Sequence, residues 1–311
     1  MNGMGLQDGR DGARGRQRFL IVHNPVAGRN RIGLVREVVQ RLEQAGATTH
    51  LHLLKEDAAD SGRPASLDTY DALVASGGDG TARSMVSLLS GSRLPFGLIP
   101  AGTGNVLAEE LQLPRTAGAI AEMLLHGPVI DLSTASVNGA PCLLMLGAGF
   151  DGEIIARLPI ELKRRIGKSA FGWPILRALA RKPRSFDVAI DGKECAASWL
   201  VVANAARYGG RFLLSPRTTV LSPGFNVVIS RATNRRERLL EVVRLVTGRL
   251  EGASTIEMMP AHTIHIANAE NLAVQIDGER VAAPLFNAVA DVARTPMIVP
   301  ASVALRERAG G

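Results

Sequence analysis

The chain has 311 residues, 46% of them hydrophobic, and a formal net charge of +7. That length accommodates two domains with ordinary cores, and no run reaches the roughly 18–20 apolar residues of a membrane-spanning helix. The excess of base points to anionic partners, among which nucleic acid is disfavoured, because only 4% of residues are aromatic and no nucleic-acid-binding motif is present.

Residues 1–17 are rich in Gly, Arg and Asp, lack the apolar core of a signal peptide, and read as a disordered tail. Phe19–His23 is a strand. Leu34 to Leu42 carries helical periodicity that Gly46 ends, and Thr48–Leu54 alternates as a second strand. Tyr70–Ser76 is a buried strand feeding Gly77-Gly78-Asp79-Gly80-Thr81, and Leu94–Pro100 feeds Gly102-Thr103-Gly104-Asn105. Each glycine loop precedes a helical pattern. A strand, a glycine turn and a helix start gather free backbone N–H groups and a positive dipole end at one point, which suits phosphate. Two such points in one small parallel α/β domain imply a nucleotide held between them. Asp79 is the anomaly, since a carboxylate in such a turn repels phosphate. It is tolerable where a divalent cation bridges the two or where it accepts a proton or a sugar hydroxyl, whereas Asp-Gly alone reads as a plain tight turn.

The texture changes after about residue 128. Val129–Val137, Cys142–Leu146, Phe186–Ile190, Ser198–Ala203, Val227–Ser230, Thr263–Ala267 and Leu272–Ile276 are strand-like, with turns at Asn138-Gly139 and Asp191-Gly192. The second domain therefore reads as β-rich and largely antiparallel. It is interrupted by helical patterns at about 160–182 and 235–251. The division expected is 18–135 and 136–311, with the last residues returning to the first domain. Within 160–184, Lys163, Arg164, Arg165, Lys168, Arg177, Arg181, Lys182 and Arg184 alternate with Phe171, Trp173, Ile175 and Leu176. The plain reading is a solvated basic face. The sharper one is a segment that rests on an anionic membrane.

Gly147-Ala148-Gly149-Phe150-Asp151-Gly152 matches a dinucleotide-binding pattern, but it lies in the β-rich half and lacks an acid about 20 residues further on. Gly167-Lys168-Ser169 lacks the earlier glycine of a phosphate loop, which is Leu162 here. Cys142 and Cys195 have neither metal nor redox spacing, so a reducing cytoplasmic setting is expected.

Taken together, Asn24-Pro25-Val26-Ala27-Gly28, Gly77–Thr81, Pro100–Asn105, Gly147–Asp151 and Asp277-Gly278-Glu279 resemble the diacylglycerol kinase catalytic family, and more distantly NAD kinases. The resemblance implies a Rossmann-like first domain, a C-terminal β-sandwich and ATP with Mg2+ in the cleft between them. Asn24, Pro25 and Gly28 would line one side. Gly77, Gly78, Asp79, Gly80 and Thr81 would cradle phosphates, with Asp79 reaching the ATP-bound magnesium. Gly102, Thr103, Gly104 and Asn105 would close the other side. Asp277 or Glu279 would take the proton from a lipid hydroxyl on diacylglycerol, a sphingoid base, ceramide or a related lipid. Read without the family, Asp277-Gly278 is a hairpin turn. The chain departs from bacterial members at Arg83-Ser84, where they usually carry Asn-Glu, and at Val106, where many carry Asp. It departs again at Ser222-Pro223, in place of acids for a structural magnesium. The alternatives are an NAD kinase-like enzyme with a soluble substrate, or a non-catalytic nucleotide- or lipid-sensing module. Homodimerisation stays open.

Overall fold

A computed structural model describes residues 15–25, 32–54, 67–159, 167–209, 212–216 and 218–310. The first lobe begins with β1 (Arg18–His23), α1 (Ile32–Gln44), β2 (Thr48–Leu53), β3 (Ala72–Gly77), α2 (Asp79–Leu88), β4 (Phe96–Pro100), α3 (Val106–Glu110) and α4 (Ala117–His126). Strands β2, β1, β3 and β4 are adjacent and parallel. Every residue of β3 and β4 is buried, so both read as unbroken apolar runs rather than alternating ones. On α1, Val35, Val38 and Leu42 recur at the helical period and supply its buried stripe.

The second lobe follows with β5 (Val129–Val137), β6 (Ala140–Cys142), β7 (Met145–Gly149), α5 (Phe150–Ala156), α6 (Gly172–Leu179), β8 (Phe186–Ile190), β9 (Lys193–Ala197) and β10 (Trp199–Ala203). After these come β11 (Arg207–Tyr208), β12 (Phe212–Leu213), β13 (Phe225–Ser230), α7 (Arg235–Val246), β14 (Ile256–Ala261) and β15 (Thr263–Ile266). The chain ends with β16 (Val274–Ile276), β17 (Glu279–Val281), β18 (Phe286–Ile298) and α8 (Ala301–Gly310). One antiparallel sheet runs β14-β13-β10-β7-β16-β17. It packs on strands β5, β8, β15 and β18 of the other sheet through Leu146, Leu200, Val202, Val227 and Val274 against Val137, Val188, Ile264 and Phe286. The protein is thus an α/β lobe with a parallel sheet joined to a largely antiparallel β-sandwich.

Strand β18 joins the two lobes. Its first half pairs with β15, and its last residues lie beside β5 and, at Met297, parallel to β4. The first-lobe sheet therefore continues into the sandwich. The register shifts between Val289 and Ala293 around Asp291, which adopts φ 51°.

Several local expectations are corrected. The run Cys142–Leu146 is two strands, because the amides of Leu143 and Leu144 are taken by a distant carboxylate. The helix expected at 235–251 stops at Val246, with Gly248 at φ 71° beyond it, and a single 3-10 turn (Leu250–Gly252) follows. In the segment 160–182, a 3-10 turn (Gly167–Phe171) leads into α6, and residues 160–166 lie outside the described residues. Elements α4, α5, β9, β11, β12, β14, β17, β18 and α8 were not anticipated.

Met297 is fully buried where β18 meets β4. Met297→Ala is expected to lower stability by about 2–5 kcal/mol, read as a shift of the urea midpoint at unchanged slope.

Candidate functional site

The two glycine loops touch. Gly77 carbonyl oxygen accepts from Ala101 N (2.9 Å) and Gly102 N (3.0 Å). A Cβ on Gly102 would meet the backbone of Gly78, so the close approach admits only glycine there. Asn105 sits in the left-handed region at φ 49°, with its Nδ2 donating to Gly102 O at 2.8 Å. On the other side Asn24 donates from Nδ2 to Thr81 Oγ1 at 3.3 Å, tying the end of β1 to the first loop.

Asp79 has a structural partner that neither reading of the sequence foresaw. Its carboxylate accepts from Val106 N (3.1 Å) and Leu107 N (3.0 Å), the first amides of α3. These are orphan donors at a helix start, and the aspartate of one loop satisfies those of the other. Helix α2 is different: Gly78 precedes it with no side-chain cap, and Gly78, Asp79, Gly80 and Thr81 all line a cavity.

Asn24, Gly78, Asp79, Gly80, Thr81, Gly102, Thr103 and Gly104 line one end of a cavity of about 980 Å³. Gly77 is buried behind it, where a Cβ would strike Thr81. Pro25 is an exposed turn residue, and Gly28 lies outside the described residues. The cavity continues past Asp277, Gly278 and Glu279 into an apolar chamber built by Phe150, Ile154, Ile175, Trp199, Val242 and Leu245.

Asp277 and Glu279 stand in different environments. The hairpin turn between β16 and β17 has Asp277 at φ 51° and Gly278 at φ 82°, so the plain turn reading describes the backbone correctly. Asp277 is buried and accepts from Leu143 N (3.0 Å), Leu144 N (2.8 Å) and Met145 N (3.1 Å). Burial pushes its carboxyl above the usual range while these amides act the other way. Its lone pairs are committed, and it holds the loop between β6 and β7. The Glu279 side chain, by contrast, is 54% exposed, faces the cavity, and forms an ion pair with Arg83 of α2. Arg83 also donates to Ile276 O at 3.3 Å. A Cβ on Gly80 would meet the Glu279 carboxylate, so this acid reaches from the second lobe to the first glycine loop. Arg83 was noticed in the sequence only as a departure; its contact with Glu279 has no local signal.

No group of three or more His, Cys, Asp or Glu side chains converges among the described residues. Magnesium carried by nucleotide phosphates and water needs only one or two carboxylates from a protein, and Asp79 and Glu279 both line this cavity.

Residues 18–137 match the model of the diacylglycerol kinase catalytic domain, and residues 144–305 that of the YegS C-terminal NAD kinase β-sandwich-like domain. The chain is 28% identical over 280 residues to a diacylglycerol kinase of Bacillus subtilis, covering 85% of this chain and 90% of that one. It is 27% identical over 219 residues to a diacylglycerol kinase of Mycobacterium tuberculosis, covering 67% and 70%. A solved diacylglycerol kinase structure from Bacillus anthracis superposes with a TM-score of 0.71 at 22% identity, over 93% of this chain and 99% of that one. An NAD kinase from Archaeoglobus fulgidus in complex with ATP superposes with a TM-score of 0.51 at 15% identity, over 94% and 98%.

Asp79→Ala would leave Val106 N and Leu107 N without their acceptor. The expected result is a loss of about 1–3 kcal/mol and faster amide hydrogen exchange confined to residues 105–108, measured by mass spectrometry.

Proposed function

The chain belongs to the diacylglycerol kinase family in which a diacylglycerol kinase catalytic domain is followed by an NAD kinase-like β-sandwich, and from that premise we propose that it is a lipid kinase using ATP. It would move the γ-phosphate to the hydroxyl of a membrane lipid: diacylglycerol, a sphingoid base, ceramide or a relative. One observation carries this reading. A single cavity has phosphate-suited glycine loops at one end, an apolar chamber at the other, and a half-exposed carboxylate between them.

The amides of Gly78–Thr81 at the uncapped start of α2 would take the phosphates, with Asn24, Thr103 and Gly104 around them. Bound magnesium would offset phosphate charge. Phosphoryl transfer asks mainly for positioning and charge neutralisation. Glu279 is the acid suited to accept the hydroxyl proton, because it is open to the cavity while Asp277 is spent on three amides. Arg83 fixes the direction of the Glu279 carboxylate. The apolar chamber disfavours a soluble dinucleotide as acceptor.

A bilayer-borne substrate requires contact with the membrane. Helices α6 and α7 present Trp173, Leu176, Leu240 and Val246 to solvent, each more than half exposed, near the chamber lined by Ile175, Val242 and Leu245. Arg177, whose guanidinium lies 5.2 Å from the Trp173 ring, and Arg181, Arg236 and Arg244 are exposed on or beside the same two helices. The basic segment expected around 160–184 thus gains α7 as a second element, and both would rest on the anionic, cytoplasmic leaflet. No helix among the described residues is long and apolar enough to cross a membrane.

Labelled ATP and magnesium with a panel of such lipids in mixed micelles is the direct test, and no turnover on any of them ends this reading. Glu279→Gln is expected to lower kcat by about 10²–10⁴-fold with KM for ATP little changed. The double variant Trp173→Ser, Leu176→Ser is expected to weaken binding to phosphatidylglycerol vesicles about tenfold or more. Flotation of the wild-type protein should also weaken as salt rises.

A further inference from the structure

The glycine pattern at residues 147–152 has a physical purpose that the sandwich makes visible. On β16, Gln275 stands opposite Gly147 of β7. A Cβ at Gly147 would collide with the Asp151 carboxylate and the Gln275 amide, so the glycine is the space in which those two groups meet. Gly149 turns the chain at φ 74° and starts α5, which aims Asp151 back under the sheet. Gly152 lies against the backbone of Ala273, where no side chain fits, and seats α5 tightly on the strand that carries Gln275.

The resulting polar chain is continuous, with Asp151 and Gln275 buried and Tyr208 and Gly278 partly so. Tyr208 Oη donates to Asp151 Oδ1. Gln275 Nε2 donates to Asp151 Oδ2 at 2.6 Å, and Gln275 Oε1 accepts from Gly278 N at 2.6 Å. Because Asp151 takes two donors, it fixes which end of the Gln275 amide faces it, and therefore which end grips Gly278. Gly278 immediately precedes Glu279. Asp151 and Tyr208 both border the apolar chamber, while Glu279 borders the glycine loops. Burial raises the Asp151 carboxyl, and the Tyr208 and Gln275 bonds act against that rise.

We infer that Asp151, Tyr208 and Gln275 are positioning residues that hold the Asp277–Glu279 turn by its Gly278 amide and so aim the Glu279 carboxylate across the cleft. Asp277 anchors the same turn from beneath through Leu143, Leu144 and Met145, and Arg83 meets it from the first lobe. The turn is thus gripped from three sides, and the grip through Gln275 is the one that also touches the chamber. This inference rests on the kinase reading only for its kinetic consequence; the grip itself can be measured without turnover.

The test compares Gln275→Leu and Tyr208→Phe with Val274→Ala, a buried neighbour on β16 that takes no part in the chain of bonds. Amide exchange is followed by mass spectrometry on the full-length protein. Gln275→Leu is expected to speed exchange in residues 276–281, Tyr208→Phe to do so less, and Val274→Ala to leave that segment no faster than the rest of the sandwich. In the kinase assay, Gln275→Leu is expected to lower kcat by about 10–100-fold with KM for ATP within about twofold, the size of loss expected from a misplaced reacting group. In a Glu279→Gln background the same change should cost less than about twofold, since it acts through Glu279. Unchanged exchange at 276–281, the same local change with Val274→Ala, or full additivity with Glu279→Gln would overturn the inference. A wild-type protein inert toward every lipid, with the exchange pattern as expected, would retire the kinase reading and support the grip on the turn.

Discussion

The site depends on two backbones brought closer than any side chain permits. Gly78 and Gly102 touch, and the carboxylate of Asp79 then reaches across to the first amides of α3. One aspartate converts two separate strand–loop–helix units into a single rigid rim. It also resolves an electrostatic conflict. A free carboxylate beside a phosphate site would repel its ligand, but one that neutralises the positive start of α3 adds little net negative charge there. Asp79 is also the first residue of α2, so the same carboxylate stands at the starts of both helices.

The second lobe solves a harder problem, because it must hold an acid at the cavity without letting that acid wander. It does so with buried carboxylates that each accept from more than one donor. Asp277 takes three amides and Asp151 takes a phenol and a carboxamide. Desolvation makes such groups costly unless every lone pair is met, and meeting them specifies one geometry. A third group of the same kind lies behind the chamber. Arg238 is fully buried, stacks on Phe150 and Trp199, and pairs with Glu241, which in turn accepts from Ser230 and Thr255. The chamber wall is therefore apolar on its inner side and braced by charge on its outer side.

Much of this was legible along the chain. The parallel order β1–β4 followed from apolar runs interrupted by glycine, because period and turn chemistry are local properties. The loops themselves were legible for the same reason. What was hidden is what is non-local. Val106 and Leu107 contribute only backbone to Asp79, and backbone has no sequence signature. The break at Leu143-Leu144 is set by Asp277, more than 130 residues away. Strand β18 alternates weakly, bends at Asp291 and contains Pro296, so it reads as irregular chain although it joins the two lobes. Strand β14 carries Pro260 and lies at a sheet edge, where proline is tolerated and the strand signal is lost. Among candidate acids, Asp277 and Glu279 could not be told apart by spacing; burial separates them.

The continuity of β18 has a mechanical consequence. The first-lobe sheet and the sandwich share this strand, and its register shift at Val289–Ala293 falls between the half paired with β15 and the half beside β4. A hinge at any loop between the lobes would have to strain that shared ladder. A continuous apolar core joins the lobes, with Leu107 and Leu111 in one cluster with Leu144, Phe150 and Trp199, and polar contacts cross the cleft from Glu110 to the Ala206 amide and from Arg83 to Ile276 O and Glu279. An exposed ion pair of this kind holds weakly in water and strengthens as water leaves. The lobes are therefore joined by a shared strand and a shared apolar core, and Arg83 meets Glu279 at the cavity through a pair that water can loosen.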